Sequence, residues 1–535
     1  MRSYFARGLM KNSTTRGVPY ALYRLFEILP AALAWGTLIA IIVFSWQAPV
    51  AAALFIILFD VYWLLKTIYL SLHLRSSFKK MRENMKVDWR EKLDKLETTI
   101  PPVIHENKSP FPPINKGGLE GISWQSMYHL IILPIYKEPF EVVRESILSL
   151  ARANYPKEKL LVALATEKRA PESQEVAEKI RQEFGSQFFK FLITVHPDNI
   201  PGELAGKGSN ETWAGREAKE KLIDSSQIPY EHVLVSVFDS DTQVFPEYFG
   251  ILSYQFLTAP HPHHSSYQPI PLFTNNIFSA PAFGRVISFS SSFWHMIQQA
   301  RPERLTTFSS QSIPFKALVE IGFWSTNVVS EDSQIFWQCF LHYNGDWRTV
   351  PILYPVSMDA NVAPTLWKTL KNIYKQQRRW GWGCENIPYF LTGFLRNKHI
   401  PWGKKFYWSF HYIEGFHSWA TNALILFSMG WLPILLGGPE FRVSLLSYNL
   451  PRIVGYVMNA STIGIVSSAV LGMILLPPKP AWFRRRHYVL YAIQWALMPL
   501  TLMVFGAIPA LDAQTRLARG GKWRLGFWTT PKYRK

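Results

Sequence analysis

The chain has 535 residues, 48% of them hydrophobic and 15% aromatic, and a formal charge of +19 from 57 Lys and Arg against 38 Asp and Glu. That size and apolar content hold one large core together with several membrane spans, while only two cysteines, Cys339 and Cys384, exclude a disulfide framework and a cysteine zinc site and suit a reduced, cytosol-facing catalytic region. The positive charge has no zinc-finger spacing or aromatic RNA-binding signature beside it, so no nucleic-acid partner is expected, and anionic lipid headgroups and a phosphorylated substrate account for it instead.

In chain order, the first apolar block runs from about residue 26 to 72 and holds two spans around the break at Trp46-Gln47-Ala48-Pro49. It is too long for the apolar region of a cleaved signal peptide. Arg2, Arg7, Lys11 and Arg16 precede it and the Lys79 to Lys95 segment follows, which marks these flanks as cytoplasmic. Residues 1–72 are thus an N-terminal membrane segment, and 73–127 a charged helix followed by a Pro- and Gly-bearing connector from Pro101 to Gly121.

From Tyr128 the pattern changes. Tyr128 to Pro134 is strand-like, Phe140 to Ala153 has helical apolar spacing, and Leu160 to Ala165 is strand-like again, which makes a βαβ unit. The alternation continues through a helix near 172 to 184, a strand near 188 to 195, a helix near 209 to 223 and a strand ending at Phe238. It predicts an α/β domain with a mostly parallel sheet, covered on both faces and inserted between transmembrane helices. The Pro260-His261-Pro262-His263-His264 run reads as an irregular surface loop, since its histidines lack helical metal-ligand spacing.

Further apolar blocks lie at about 408 to 437, 455 to 476 and 488 to 511, which with the first gives about five spans. Residues 391–535 are therefore an interfacial helix, about three spans and a basic tail. An odd count sends the tail outside, whereas Arg516, Arg519, Lys522, Arg524, Lys532, Arg534 and Lys535 place it inside. One block must lie in the interface or re-enter. Candidates are the amphipathic Phe406 to Tyr412 and the last span, broken by Pro499 and Pro509.

Five segments carry the chemistry. Val233 to Phe238 delivers Asp239 and Asp241 to the carboxyl end of a strand, where open α/β sheets bind ligands and where carboxylates hold a hard divalent cation shared with substrate phosphates. Leu133 to Glu138 closes the first strand, Gly206-Lys207-Gly208-Ser209-Asn210 opens a helix, and Ser330-Glu331-Asp332 precedes an amphipathic helix. Gln376-Gln377-Arg378-Arg379-Trp380 ends a helix before the membrane returns. Taken singly each has a structural reading: a solvated lysine, a pair of helix-capping acids, a positive-inside anchor.

In this order the segments resemble the motifs of processive family 2 glycosyltransferases, the membrane polysaccharide synthases that include cellulose, chitin and hyaluronan synthases. The resemblance covers about residues 128 to 390, with Asp-x-Asp at Asp239 and Asp241, Ser330-Glu331-Asp332 in place of the family's Thr-Glu-Asp, and Gln-x-x-Arg-Trp at Gln376, Arg379 and Trp380. It implies a GT-A-like catalytic domain over 128–390, a nucleotide-diphospho-sugar donor, and a divalent metal, Mg or Mn, on Asp241 aided by Asp239. It also implies Asp332 as catalytic base, donor contacts from Glu138, Lys207, Asp239 and Arg379, and acceptor contacts from Gln376 and Trp380. The family's usual aspartate pair after the second strand is replaced by Ala165-Thr166-Glu167-Lys168, which leaves Glu167 as the donor-binding candidate there. The tail after residue 511 is a short basic segment, so no C-terminal regulatory domain is expected.

The expected activity is inverting transfer of a sugar to a growing polysaccharide, by a multi-pass protein of the cell membrane with a cytoplasmic catalytic domain and membrane lipids around it. The alternatives are a non-processive transferase acting on a lipid-linked acceptor and a catalytically silent membrane scaffold or transporter.

Overall fold

The computed structural model describes residues 19–99 and 122–534. The basic residues through Arg16, the Pro101 to Gly121 connector and Lys535 lie outside the described residues. Helix α1 (Tyr20–Gln47) and helix α2 (Pro49–Asn84) meet at Ala48, whose N–H closes α1 on the Phe44 carbonyl at 2.8 Å. Pro49 then starts α2, a position where a missing N–H costs nothing.

After α3 (Trp89–Thr99) come β1 (Tyr128–Pro134), α4 (Phe140–Ala151), β2 (Leu160–Glu167), α5 (Pro171–Phe184), β3 (Lys190–His196), α6 (Lys207–Ala218) and β4 (Val233–Val237). The second half of the sheet comprises β5 (Gln243–Val244), β6 (Ser265–Phe273), β7 (Ser312–Pro314) and β8 (Arg348–Met358), interleaved with α7 (Tyr248–Thr258), α8 (Ala282–Gln299) and α9 (Glu331–His342). The principal later helices are α10 (Leu366–Gly381), α11 (Trp402–Leu424), α12 (Leu445–Ile474), α13 (Arg485–Ile493) and α14 (Ile508–Arg519).

These elements form two compact units. One takes Ser77–Leu272 and Gln298–Asp359; the other takes the chain through Ser76, Phe273–Ile297 and Ala360 onward.

The first unit holds an eight-stranded sheet in the order β3-β2-β1-β4-β7-β6-β8-β5. Strands β3, β2, β1 and β4 are parallel, so that Ile131 lies beside Val162 on one side and Ser236 on the other. β1, β2 and β4 are apolar almost throughout because helices cover both faces. The core joins Ile131 and Leu133 to Val143 and Ile147 of α4, and Val162 and Leu164 to Ala177 and Ile180 of α5.

The parallel half is as the alternation predicts, but beyond β4 the sheet turns antiparallel: β7 on β4, β6 on β7, β5 on β8. These strands leave little periodic signal. β5 has two residues and β7 three, while β6 carries Pro269 and Pro271, which sequence patterning counts against a strand.

Strand order reverses between β1 and β4: the chain steps from β1 to β2 and β3 on one side, then returns to place β4 on the other. The carboxyl ends of β1 and β4 flank the crevice that such a switch opens.

In the second unit, Ala34, Leu38 and Ile41 of α1 pack against Ala420 of α11 and against Ala510 and Leu511 of α14. Among the described residues, four helical stretches are long and apolar enough to cross a membrane: Tyr20–Gln47, Pro49–Asn84, Leu445–Ile474 and Arg485–Arg519. The block at 408 to 437 is not among them. There α11 carries Glu414 and His417 and passes into a π turn at Ile425–Met429. Arg485–Arg519 is not one regular helix either: a 3-10 turn at Gln494–Leu497 and a π turn at Met503–Ala507 interrupt it, with Pro499 and Pro509 in the first turns of the pieces that follow.

Candidate active site

The sheet continues one residue past β4, where the Phe238 N–H donates to Ile132 at 3.0 Å, and then turns sharply as Thr242 N–H bonds back to the Asp239 carbonyl at 2.8 Å. The hydroxyl of Ser146 on α4 donates to the Ser240 carbonyl at 2.8 Å and pins this turn. The two aspartates are thereby given different surroundings. Asp241 is fully buried and accepts the Asp359 N–H on Oδ2 at 2.8 Å. Asp239 is partly exposed and its Oδ1 lies 2.8 Å from Lys207 Nζ.

Lys207 is the first residue of α6. The start of that helix is fixed by Ser209, whose hydroxyl donates to the carbonyls of Leu204 and Gly206, and by Asn210, whose amide donates to Ala165 of β2 at 2.8 Å. Lys207 itself is 9% exposed. Besides Asp239, its ammonium lies 3.4 Å from Glu211 Oε1 one turn along α6 and 3.5 Å from Asp332 Oδ2 in the first turn of α9.

Burial works against the Lys207 charge, but Asp239, Asp332, Glu211 and Glu331 hold its pKa well above the ordinary lysine value. The neighbouring acids respond oppositely. Burial pushes Glu211 up to about 8 against the pull of Lys207, and burial followed by the Asp332 charge pushes Glu331 well above the carboxylate range.

Gly208 makes this proximity possible. A Cβ there would lie 2.7 Å from the Ser325 carbonyl oxygen and 2.9 Å from Glu331 Cβ.

The carboxyl ends of β1 and β2 carry more polar groups. Glu138 accepts the backbone N–H of Tyr136 at 2.6 Å and of Lys137 at 3.1 Å, shaping the loop after β1. Glu167 ends β2, is buried, and is ion-paired with Arg169, whose guanidinium lies over the Tyr136 ring at 4.7 Å. Of the expected residues in this unit, Lys207, Asp239 and Asp332 meet in one cluster, while Glu138 and Glu167 border the neighbouring strand ends. Arg169, Glu211 and Gly208 were missed. Glu211 had a signal, the i+4 spacing from Lys207.

Gln376, Arg379 and Trp380 belong to the second unit and share one face of α10, at i, i+3 and i+4. The Gln376 amide oxygen accepts from Asn361 at 3.4 Å, the Arg379 guanidinium sits over Phe527 at 5.2 Å, and Trp380 lies against Phe273 with ring centroids 5.9 Å apart. Phe527 has no periodic signal and was not expected. Arg378 instead forms a structural pair with Asp512 at 3.0 Å.

Asp239 and Asp241 offer only oxygen, the donor type a hard cation takes, and the Lys207 ammonium faces Asp239, Glu211 and Asp332. Among the described residues no three His, Cys, Asp or Glu side chains converge as metal ligands. A cation on the two aspartates would complete its shell with oxygens from substrate and water, the usual mode for magnesium-like ions.

The chain matches the model of Glycosyl transferase family group 2 over residues 234–508, more than half its length. It belongs to that family. This glycosyltransferase has no match among curated proteins. Solved structures similar to it include the mannosyltransferase PcManGT from Pyrobaculum calidifontis in complex with GDP-Man and Mn2+, at 14% identity and TM-score 0.37, covering 81% of this chain and 99% of that one. S. aureus TarS 1-349 in complex with UDP-GlcNAc aligns at 13% identity and TM-score 0.29 over 64% of this chain and 90% of that one. GalNAc-T7 with UDP, GalNAc and Mn2+ aligns at 10% identity and TM-score 0.30 over 58% of each.

Proposed function

We propose that this glycosyltransferase is a membrane-embedded, processive enzyme that moves a sugar from a nucleotide-diphospho-sugar onto a growing polysaccharide with inversion, using residues 128–390 as its catalytic domain. The observation that carries the reading is the meeting of Asp239 and Asp332, from separate segments, at the Lys207 ammonium beside the strand switch point.

In this mechanism Asp332 accepts the proton of the acceptor hydroxyl as that oxygen attacks the anomeric carbon. The bond from that carbon to the diphosphate oxygen breaks on the opposite side, and the nucleoside diphosphate leaves with the electron pair. Asp241 and Asp239 would hold the divalent cation, Mg or Mn, whose charge stabilises the leaving diphosphate. Glu138 and Glu167 are assigned to the donor's nucleoside end. On the motif match alone, Arg379 is assigned a bidentate contact to the diphosphate, and Gln376 and Trp380 the acceptor sugar.

Contacts within the second unit support the membrane-embedded reading. Glu27 of α1 is ion-paired with both Arg24 and Arg524, and Trp35 donates to Thr515 at 2.9 Å. The end of α14 and the tail beyond it therefore sit beside the start of α1. Four crossings would put the two termini on one side, and the basic residues near both ends support a cytoplasmic one.

The test is to incubate membranes containing the full chain with a panel of labelled nucleotide sugars and to size the product. The expected result is a polymer from one donor. A single sugar on an extractable lipid would replace this reading with the non-processive one.

A further inference from the structure

The Lys207 ammonium has three N–H donors, and it has three carboxylate neighbours: Asp239 at 2.8 Å, Glu211 at 3.4 Å and Asp332 at 3.5 Å. We propose that Lys207 is a positioning residue that ties the donor-side Asp239 to the acceptor-side Asp332, and that it does not grip the donor diphosphate.

The local charge supports this. An anion brought to Lys207 would meet the carboxylates of Asp239 and Asp332, 2.8 Å and 3.5 Å from that ammonium. Such a surrounding repels phosphate and favours a cation.

The stem cannot readily turn elsewhere. Lys207 is 9% exposed, and the bonds of Ser209 and Asn210 anchor the helix start from which it projects. Glu211 rises from the same helix one turn on, so its carboxylate keeps station with the lysine. Gly208 closes the arrangement by letting Glu331, the neighbour of Asp332, approach α6 without an intervening side chain. One buried cation thus sets where both reaction-side acids sit.

This inference rests on the donor and base roles given above to Asp239 and Asp332, and its test separates the two. The full-length protein is compared with Lys207→Met and with Lys207→Met/Glu211→Gln. The double variant also replaces Glu211 by its neutral amide, and thermal unfolding of both variants shows which of them is folded. Binding of UDP and GDP in the presence of Mn2+ is measured by calorimetry, and donor KM and kcat are measured separately.

A positioning role predicts a nucleotide Kd within about threefold of wild type, or tighter because Asp239 has lost a competing cation. It predicts an unchanged donor KM and a kcat lowered by about 100-fold, the scale of a misplaced reacting group. A Kd raised by about tenfold or more with kcat retained at saturating donor would make Lys207 a diphosphate ligand and overturn the proposal. An unchanged kcat in both variants would overturn it as well. If wild type binds neither nucleotide, the donor reading itself fails, and the positioning role falls with it.

Discussion

Gly208→Ala is expected to separate the site's geometry from its stability. The added methyl would sit 2.7 Å from the Ser325 carbonyl oxygen and 2.9 Å from Glu331 Cβ, both closer than carbon tolerates. The Ser325 segment cannot withdraw freely. Thr212 of α6 donates to the Trp324 carbonyl at 2.8 Å, the Leu204 N–H to Thr326 at 2.7 Å, and Gln338 of α9 accepts the Ser325 N–H at 3.2 Å. The strain therefore passes into Glu331 and the first turn of α9, which carries Asp332. Overpacking of this kind costs about 1–3 kcal/mol of stability, and displacement of the base by about 1 Å should lower kcat by about 100-fold. Gly215→Ala is the matched control. It lies two turns along the same helix, where the new methyl would meet the Phe323 ring at 2.8 Å, so it should also destabilise but leave kcat per folded molecule near wild type. Thermal unfolding and single-donor turnover, measured on both variants in the same detergent, decide the matter. Equal kcat in the two variants would refute the claim that Gly208 exists to let Glu331 and Asp332 approach α6.

Asp332→Asn keeps the shape of the side chain but removes the proton acceptor. It should lower turnover by about 100-fold or more while nucleoside diphosphate binding persists, and a small effect would leave Asp332 as a helix-start acid only. Asp241→Ala should abolish the Mn2+ dependence of nucleotide binding, since the remaining Asp239 is already engaged with Lys207; calorimetry with and without the ion shows whether that dependence survives. Glu211 bears on pH. Its folded pKa is raised from 4.5 to about 8, so the folded state holds a proton that the unfolded chain has released, and the stability from this group, full below 4.5, is lost as pH rises through about 8. Unfolding temperature should fall across that window, Glu331 contributes in the same direction, and Glu211→Gln should make the decline shallower; an unchanged slope would mean Glu211 is ionised in the fold.

The parallel half of the sheet was legible because β1, β2 and β4 are buried on both faces and read as continuous apolar runs. Its neighbour was not, because β5 and β7 are too short to show a period and the prolines of β6 mimic a loop. The same contrast runs through the site. Asp239, Asp332 and Lys207 each stand at the edge of a recognisable element, so sequence could nominate them. That Lys207 faces acids and not open solvent depends on the three-dimensional crossing of the first turns of α6 and α9, which no spacing encodes. Glu331 illustrates the limit: in sequence it reads as a helix-capping acid beside Asp332, yet it is 1% exposed, and burial followed by the Asp332 charge pushes its pKa well above the carboxylate range. A residue that looks like a cap in one dimension becomes the support of a neighbouring carboxylate in three. The glycine that permits it carries no chemistry of its own, and its role is visible only as the side chain that could not be placed there.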